Sequence, residues 1–351
     1  IYATDNDEES DFITHLRPEL AIQSDWGRHE LNFIAGSDIG RYNDNTDEDY
    51  EDYLVSLDGR LDVHERNNLA GRAGFAHEHE SRDSPDDSAR FGRDPTTYDT
   101  SSLSAAYRHR FNRLALRVGG TFDRIDYDNV TALDGSTIDN GDRDRDVSAL
   151  LAQLNYELVP DYSAFLRTRY KDISYDQKYD NNGLQRSSDG YEIDVGTELF
   201  LSGVMFGEVF IGYIDRNYDD SSLKDIDDFT GGAALTWLPS GLTTVTFAVE
   251  RDIAETIVGD TSGILETQGS VEVDHELLRN LLLNARVVAR DEDFEGTSRN
   301  DDYLGIGLGA KYMMNRNLYL NMGYTYLDRD SNADGEDFTD NRVMVGIRGQ
   351  L

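Results

Sequence analysis

Apolar and polar side chains alternate with a period of two along most of this chain. From Leu114, the residues Leu114, Leu116, Val118, Gly120 and Phe122 interleave with Ala115, Arg117, Gly119, Thr121 and Asp123. The same split recurs where Tyr162, Ala164, Leu166, Thr168 and Tyr170 interleave with Ser163, Phe165, Arg167, Arg169 and Lys171, and again along Leu318, Leu320, Met322, Tyr324 and Tyr326. A period of two is the mark of strands with one apolar and one polar face, and no helical period of useful length competes with it. The chain reads as all-β, over seventeen strands at about 12–23, 29–42, 50–63, 68–79, 100–111, 113–127, 145–158, 161–175, 190–202, 204–216, 228–238, 241–252, 263–274, 280–291, 302–313, 317–327 and 341–351. The pattern runs through the whole length, so 1–351 is read as one domain.

The connections alternate as well. Short ones, such as 24–28, 64–67, 111–113, 159–161, 238–241 and 314–317, take turns with long acidic ones at 43–49, 80–97, 128–143, 176–189, 217–227, 253–262, 292–301 and 328–340. Short turns at one end and long loops at the other predict a transmembrane antiparallel up-and-down β-barrel, apolar stripes toward lipid and polar residues toward the lumen. Trp26 and Trp237 fall beside short turns, whereas Tyr127, Tyr170, Tyr191, Tyr213, Tyr303 and Tyr326 fall toward the long loops; these are the expected interfacial girdles. Bacterial single-chain barrels have an even number of strands. An odd count therefore predicts one further strand ahead of Ile1 and eighteen in the intact barrel, with sixteen as the alternative. The C-terminus is then expected to be periplasmic and the acidic loops extracellular.

Composition narrows the possibilities. Asp and Glu number 69 against 33 Lys and Arg, for a formal charge of -36, which excludes a basic nucleic-acid binder. With no cysteine, disulfide frameworks, zinc-thiolate sites and thiol nucleophiles are excluded. The 20 tyrosines and 14 phenylalanines argue against acidic disorder. No apolar run is long enough for a transmembrane helix; the most apolar, 281–289, is broken by Asn284 and Arg286.

The stretches IYATDNDEESD from Ile1, SDWGRHELNF from Ser24, YEDYLVSLDGRLDV from Tyr50 and RDSPDD from Arg82 resemble the β-barrel porin 2 family of proteobacterial outer-membrane proteins. The resemblance implies an outer-membrane barrel, often linked to exopolysaccharide synthesis and export, with an extra N-terminal strand. It carries no catalytic motif.

Candidate chemistry lies on the polar face. Arg108, Arg110, Arg117, Arg167, Arg169, Lys171, Arg286 and Arg290 are the expected pore-lining bases, the first six clustered on neighbouring strands. Guanidinium forks pair with carboxylates, so such a ladder suits an anionic sugar polymer. The same bases could instead pair with inward acids such as Glu19, Asp58, Glu192, Asp194, Glu208 and Glu266. In the loop 330–337, Asp330, Asn332, Asp334 and Asp337 open like a calcium loop, but Asn341 stands where the bidentate Glu belongs, so any Ca²⁺ site there is a loose surface one. Loops this acidic should repel lipopolysaccharide phosphates unless divalent cations bridge them. No HExxH or Ser-His signature stands out, so an enzyme is not expected. The loops 80–97 and 128–143 are expected in solvent because of their charge.

The reading is an outer-membrane channel, a conduit for exopolysaccharide secretion driven by synthesis or a periplasmic partner. The alternatives are a plugged docking barrel that anchors a surface polymer or protein, and a general diffusion porin.

Overall fold

The structure, a computed structural model, describes residues 10–86, 92–201 and 203–351. Twenty strands are present among them: β1 (Ile13–Leu16), β2 (Glu19–Gln23), β3 (Glu30–Tyr42), β4 (Tyr50–His64), β5 (Asn67–His79), β6 (Thr97–Phe111), β7 (Leu114–Tyr127), β8 (Val130–Thr131), β9 (Thr137–Ile138), β10 (Arg145–Val159), β11 (Tyr162–Tyr175), β12 (Ser188–Leu201), β13 (Met205–Tyr218), β14 (Ile226–Ser240), β15 (Thr243–Ala254), β16 (Ile264–Leu278), β17 (Leu281–Phe294), β18 (Asn300–Met313), β19 (Leu318–Ser331) and β20 (Phe338–Gly349). β8 and β9 form a small hairpin of their own within the 128–144 connection. All the others belong to one antiparallel sheet in which each strand pairs with its sequence neighbour. β1 and β2 are one strand interrupted at Pro18, which has no N–H to give a ladder and whose carbonyl accepts from Ser37 N. Counted that way the meander has the seventeen strands that the alternation predicts.

The sheet curls so that its two edges come within side-chain reach of each other. Arg348 Nη2 donates to Glu19 Oε1 at 3.3 Å, and Arg17 Nη1 lies 3.9 Å from Met344 Sδ, placing β20 beside β1 and β2. Among the described residues no ladder joins these two ends.

The two faces differ as alternation dictates. Leu150, Leu166, Val195, Ile211, Val249 and Val287 stand exposed on the outer face. The inner face carries the charged residues. Two-residue turns close the short end, with Asn112 (φ 70°) and Asp161 (φ 71°) in the left-handed conformation that Asn and Asp tolerate.

The long connections depart from expectation. Those at 80–97 and 128–143 do not simply project into solvent: Arg143 is 2% exposed and bonds Glu80 at 2.6 and 2.9 Å, Asn140 and Asp142 are buried, and Arg82 bonds the buried Glu48 at 2.8 Å. Opposite charges on different loops meet, and each satisfies the other's hydrogen-bonding groups, so high charge does not drive them outward. Asp86 accepts from Thr256 Oγ1 at 2.6 Å and Ile257 N at 2.9 Å, on a connection eight strands further round the meander. Arg329 of β19 donates to the Asp83 carbonyl at 2.8 Å. Described residues from this one connection thus reach the far side of the opening. Beneath, Ile214, Tyr218, Leu223, Ile226, Ile253 and Leu265 form a small apolar core, with Leu184 packed on it.

Candidate functional site

A cavity of about 720 Å³ lies on the inner face of β3 to β7, β10 to β13 and β15. Its walls alternate charged residues with small ones because neighbouring rungs of the ladder do so. One rung runs Arg60, Ala70, Ala106, Gly119, Leu151, Arg169, Glu192. The next runs Asp58, Arg72, Ser104, Thr121, Ala149, Lys171, Gly190, Arg216. Small side chains leave the space; long bases frame it.

Of the eight expected pore-lining bases, four are held by carboxylates. Arg110 bonds Glu157 at 2.8 Å, Arg167 bonds Asp194 at 2.7 Å and Glu208 at 3.3 Å, Arg169 bonds Glu192 at 2.6 Å, and Arg290 lies 3.1 Å from Glu292 and 3.9 Å from Glu266. Arg167 is also packed over the rings of Phe165 and Phe210, filling the interior toward the short turns. The other four, Arg108, Arg117, Lys171 and Arg286, have no carboxylate within ion-pair distance among the described residues. Arg108 and Arg117 are directly opposed across β6 and β7, an arrangement that costs stability unless solvent or an anion screens it. Arg117, Arg169 and Lys171 line the cavity; Arg286 lines a separate hollow of about 380 Å³ on β17 to β19.

At the long-loop end of the cavity a cluster assembles that alternation does not foretell. Arg216, 4% exposed, is paired with Glu255, which also lies 3.5 Å from Tyr175 Oη. Arg145 stands between the rings of Tyr127 and Tyr175, each 5.7 Å from its guanidinium carbon. Gly190 separates Lys171 from Arg216 in the rung; a Cβ there would collide with the Asp215 carbonyl, so β12 and β13 can approach only with glycine. Burial alone would push the Glu255 carboxyl up, but Arg216, Lys171 and Arg145 hold it below the usual carboxylate range. Arg145, Arg216 and Glu255 lie at strand tops and in a loop, where alternation fades. Only the inward parity of Arg216 with Gly212 and Ile214 could have flagged it.

The girdle residues sit as expected for the most part. Tyr170 and Tyr213 stand outward, their hydroxyls 3.4 Å from Asp189 and Asp227 one step nearer the long loops, and Tyr326 does the same with Asp328 at 3.1 Å. Trp26 and Trp237 are exposed at the short-turn end. The run from Phe229 to Trp237 matches the roughly 9–11 residues a tilted strand needs to cross a bilayer. Tyr127 and Tyr303 do not belong to the girdle: they face inward, under Arg143 and Arg290, each 3.9 Å from the ring centre.

The calcium-loop residues do not converge. Asn332 is occupied with Asn300 and Ser298, and Asp337 caps Ser331 N at 2.7 Å, while Asp330 stays on β19 opposite Asp302. Among the described residues the acids that do gather are Asp126, Asp144 and Asp176, where Arg124 already bonds Asp126 and Asp176. His77 and His79 are bonded to different acids, Asp99 at 2.7 Å and Asp52 at 2.9 Å, which leaves the pair without a shared ligand position.

Comparison with known proteins agrees with this architecture. Among curated proteins, none matches the chain. Solved structures of similar fold include the siderophore receptor PirA from Acinetobacter baumannii (TM-score 0.53, 8% identity, covering 98% of this chain and 72% of that one). The ferric enterobactin receptor PfeA from Pseudomonas aeruginosa gives 0.53 at 7% identity over 96% and 71%. The open form of the ferric-catecholate receptor Fiu from E. coli K12 gives 0.51 at 11% over 98% and 74%. The chain spans 63% of FauA from Bordetella pertussis and 58% of the FpvAI complex chain. At these identities the likeness is one of fold, that of outer-membrane β-barrel proteins. A family model described as "Putative beta-barrel porin 2" matches residues 1–351, so the chain belongs to that porin family.

Proposed function

We propose that this chain forms a closed outer-membrane barrel, completed by an eighteenth strand, that conducts an anionic exopolysaccharide out of the cell. Its short turns and C-terminus face the periplasm, where an export partner delivers the polymer, and its acidic loops face outward among lipopolysaccharide, with divalent cations such as Ca²⁺ bridging the two. The observation that carries the reading is that Arg117 and Lys171, which line a cavity of about 720 Å³, and Arg108 opposite Arg117 have no carboxylate partner among the described residues. Paired bases build wall; unpaired ones offer a polyanion successive weak contacts, which conduction requires. The Asp86 contacts to Thr256 and Ile257 bridge the opening and count against a general diffusion porin and a permanently open conduit alike.

That bridge favours a second reading, a plugged docking barrel. Single-channel recording in planar bilayers separates the two. The conduit should show a conductance that polygalacturonate blocks, and Arg117→Gln together with Lys171→Gln should weaken the block about tenfold, the loss of roughly 1.4 kcal/mol. A silent bilayer despite confirmed insertion would favour the plug.

A further inference from the structure

Three bases converge on a single acid under the 255–263 connection. Arg216 pairs with Glu255, while Lys171 and Arg145 face the same carboxylate without bonding it. Asp252 lies close by, its Oδ1 accepting from Ile253 N, and the neighbouring Glu192 is taken by Arg169. The three bases outnumber Glu255 and Asp252, and Lys171 and Arg216 also stand on the wall of the cavity. A second observation points the same way. Ser188 and Tyr218, 4% and 9% exposed, are register partners across β12 and β13 on the inward face; among the described residues Ser188 Oγ has no hydrogen-bond partner, and Tyr218 Oη has only the Arg216 guanidinium beside it and no acceptor. The Nε of Arg145 is likewise buried and, among the described residues, without an acceptor. Each of these groups can donate, and buried donors without acceptors are costly.

We propose that Lys171, Arg145 and Arg216, with the Ser188 and Tyr218 hydroxyls, form a subsite for the carboxylate of an acidic sugar. Its body would occupy the adjoining cavity, whose volume of about 720 Å³ falls in the usual range of ligand pockets, roughly 300–1,000 Å³. Ser104, Thr121, Asn32 and Asp123 there offer partners for sugar hydroxyls. The choice of a sugar rests on the conduit reading, and the subsite would make Lys171 the first contact that distinguishes a uronic acid from a neutral hexose.

Titration calorimetry of the full chain folded in detergent tests this with trigalacturonate, the neutral trisaccharide cellotriose and inorganic sulfate. Trigalacturonate should bind, cellotriose should not at the same concentrations, and sulfate should bind at least tenfold more weakly. Lys171→Met should weaken trigalacturonate at least tenfold, Lys171→Arg should restore most of it, and Lys178→Gln, which removes an exposed loop charge, should leave it unchanged. Absence of binding, equal binding by Lys171→Met, or equal affinity for cellotriose would overturn the subsite; equal affinity for sulfate would overturn its assignment to a sugar. Binding needs no transport, so the two readings fail separately. A silent bilayer with Lys171-dependent binding intact removes the conduit alone, and polymer block indifferent to Lys171 removes the subsite alone.

Discussion

At the scale of single residues, two loop carboxylates near the opening are tuned in opposite directions. Burial pushes Asp86 up, against Arg143 and the hydrogen bonds from Thr256 and Ile257. Glu255 is held below its ordinary value by the bases around it, against its burial. The signs follow by linkage. An acid whose docked value is raised takes up a proton on docking, so the Asp86 contact is strongest below the value of the undocked carboxyl and weakens as pH rises toward the docked one. The contribution of Glu255 is present above its ordinary value and is lost only as pH falls through the lowered one. Of these two carboxylates only Asp86 takes up a proton on docking, so the crossing should tighten as pH falls. Fluorescent probes at Ser81→Cys and Val258→Cys should move together from pH 8 to pH 5.5, and in Asp86→Asn, which keeps the accepting oxygen without the charge, they should stay together at both. An unchanged pH response in Asp86→Asn would assign the effect to another group. None of this was legible in the sequence. Asp86 and Thr256 are 170 positions apart, and nothing in an acidic loop's composition names the loop it will meet.

At the scale of elements, alternation is decisive wherever a strand has lipid on one side and water on the other, and it fails where water lies on both. The strand expected at 228–238 runs over Ile226–Ser240, that at 190–202 over Ser188–Leu201, and that at 341–351 over Phe338–Gly349. The extra residues include Asp189, Asp227 and Asp340, where polar residues stand on both faces and only the backbone ladder continues. The paired bases show the same limit. Parity places Arg167 and Arg169 inward, but Asp194 and Glu192 become their partners because register sets each pair directly opposite. Register follows from turn length, which is legible only once the turns are located. The outer face gives a sharp test of orientation. Ile211 is 62% exposed in the middle of β13, and Ile211→Arg should cost about 2–4 kcal/mol of folding free energy in lipid vesicles. Thr121→Arg, on the cavity wall, should fold with far less loss. Equal costs at the two positions would mean that the faces are assigned the wrong way round.

For the molecule as a whole, the unresolved matter of energy is the seam. β1 and β2 run from the long-loop end to the short-turn end and so does β20, so the two ends of the sheet are parallel, in a meander whose every other pairing is antiparallel. The outer residues of β20 are more exposed than those of its neighbour: Val343, Val345 and Ile347 are 80%, 69% and 74% exposed, against 49% and 36% for Met322 and Tyr324 on β19. Unpaired backbone groups in hydrocarbon cost several kcal/mol each, which side-chain contacts such as Arg348 to Glu19 cannot offset. One strand antiparallel to both edges satisfies every such group and brings the total to the even number that single-chain barrels show. The geometry makes this measurable. Flanking strands with one strand between them stand about 9.5 Å apart, twice the usual spacing, whereas a disulfide needs Cα atoms within roughly 4.4–6.8 Å. With Glu19→Cys and Arg348→Cys, the 351-residue chain should cross-link on mild oxidation, because the edges can close on each other. A chain that supplies the eighteenth strand should stay uncross-linked and resist thermal unfolding in detergent to a higher temperature. Rapid cross-linking in both would mean that the edges meet directly, and the strand would have no place in the wall.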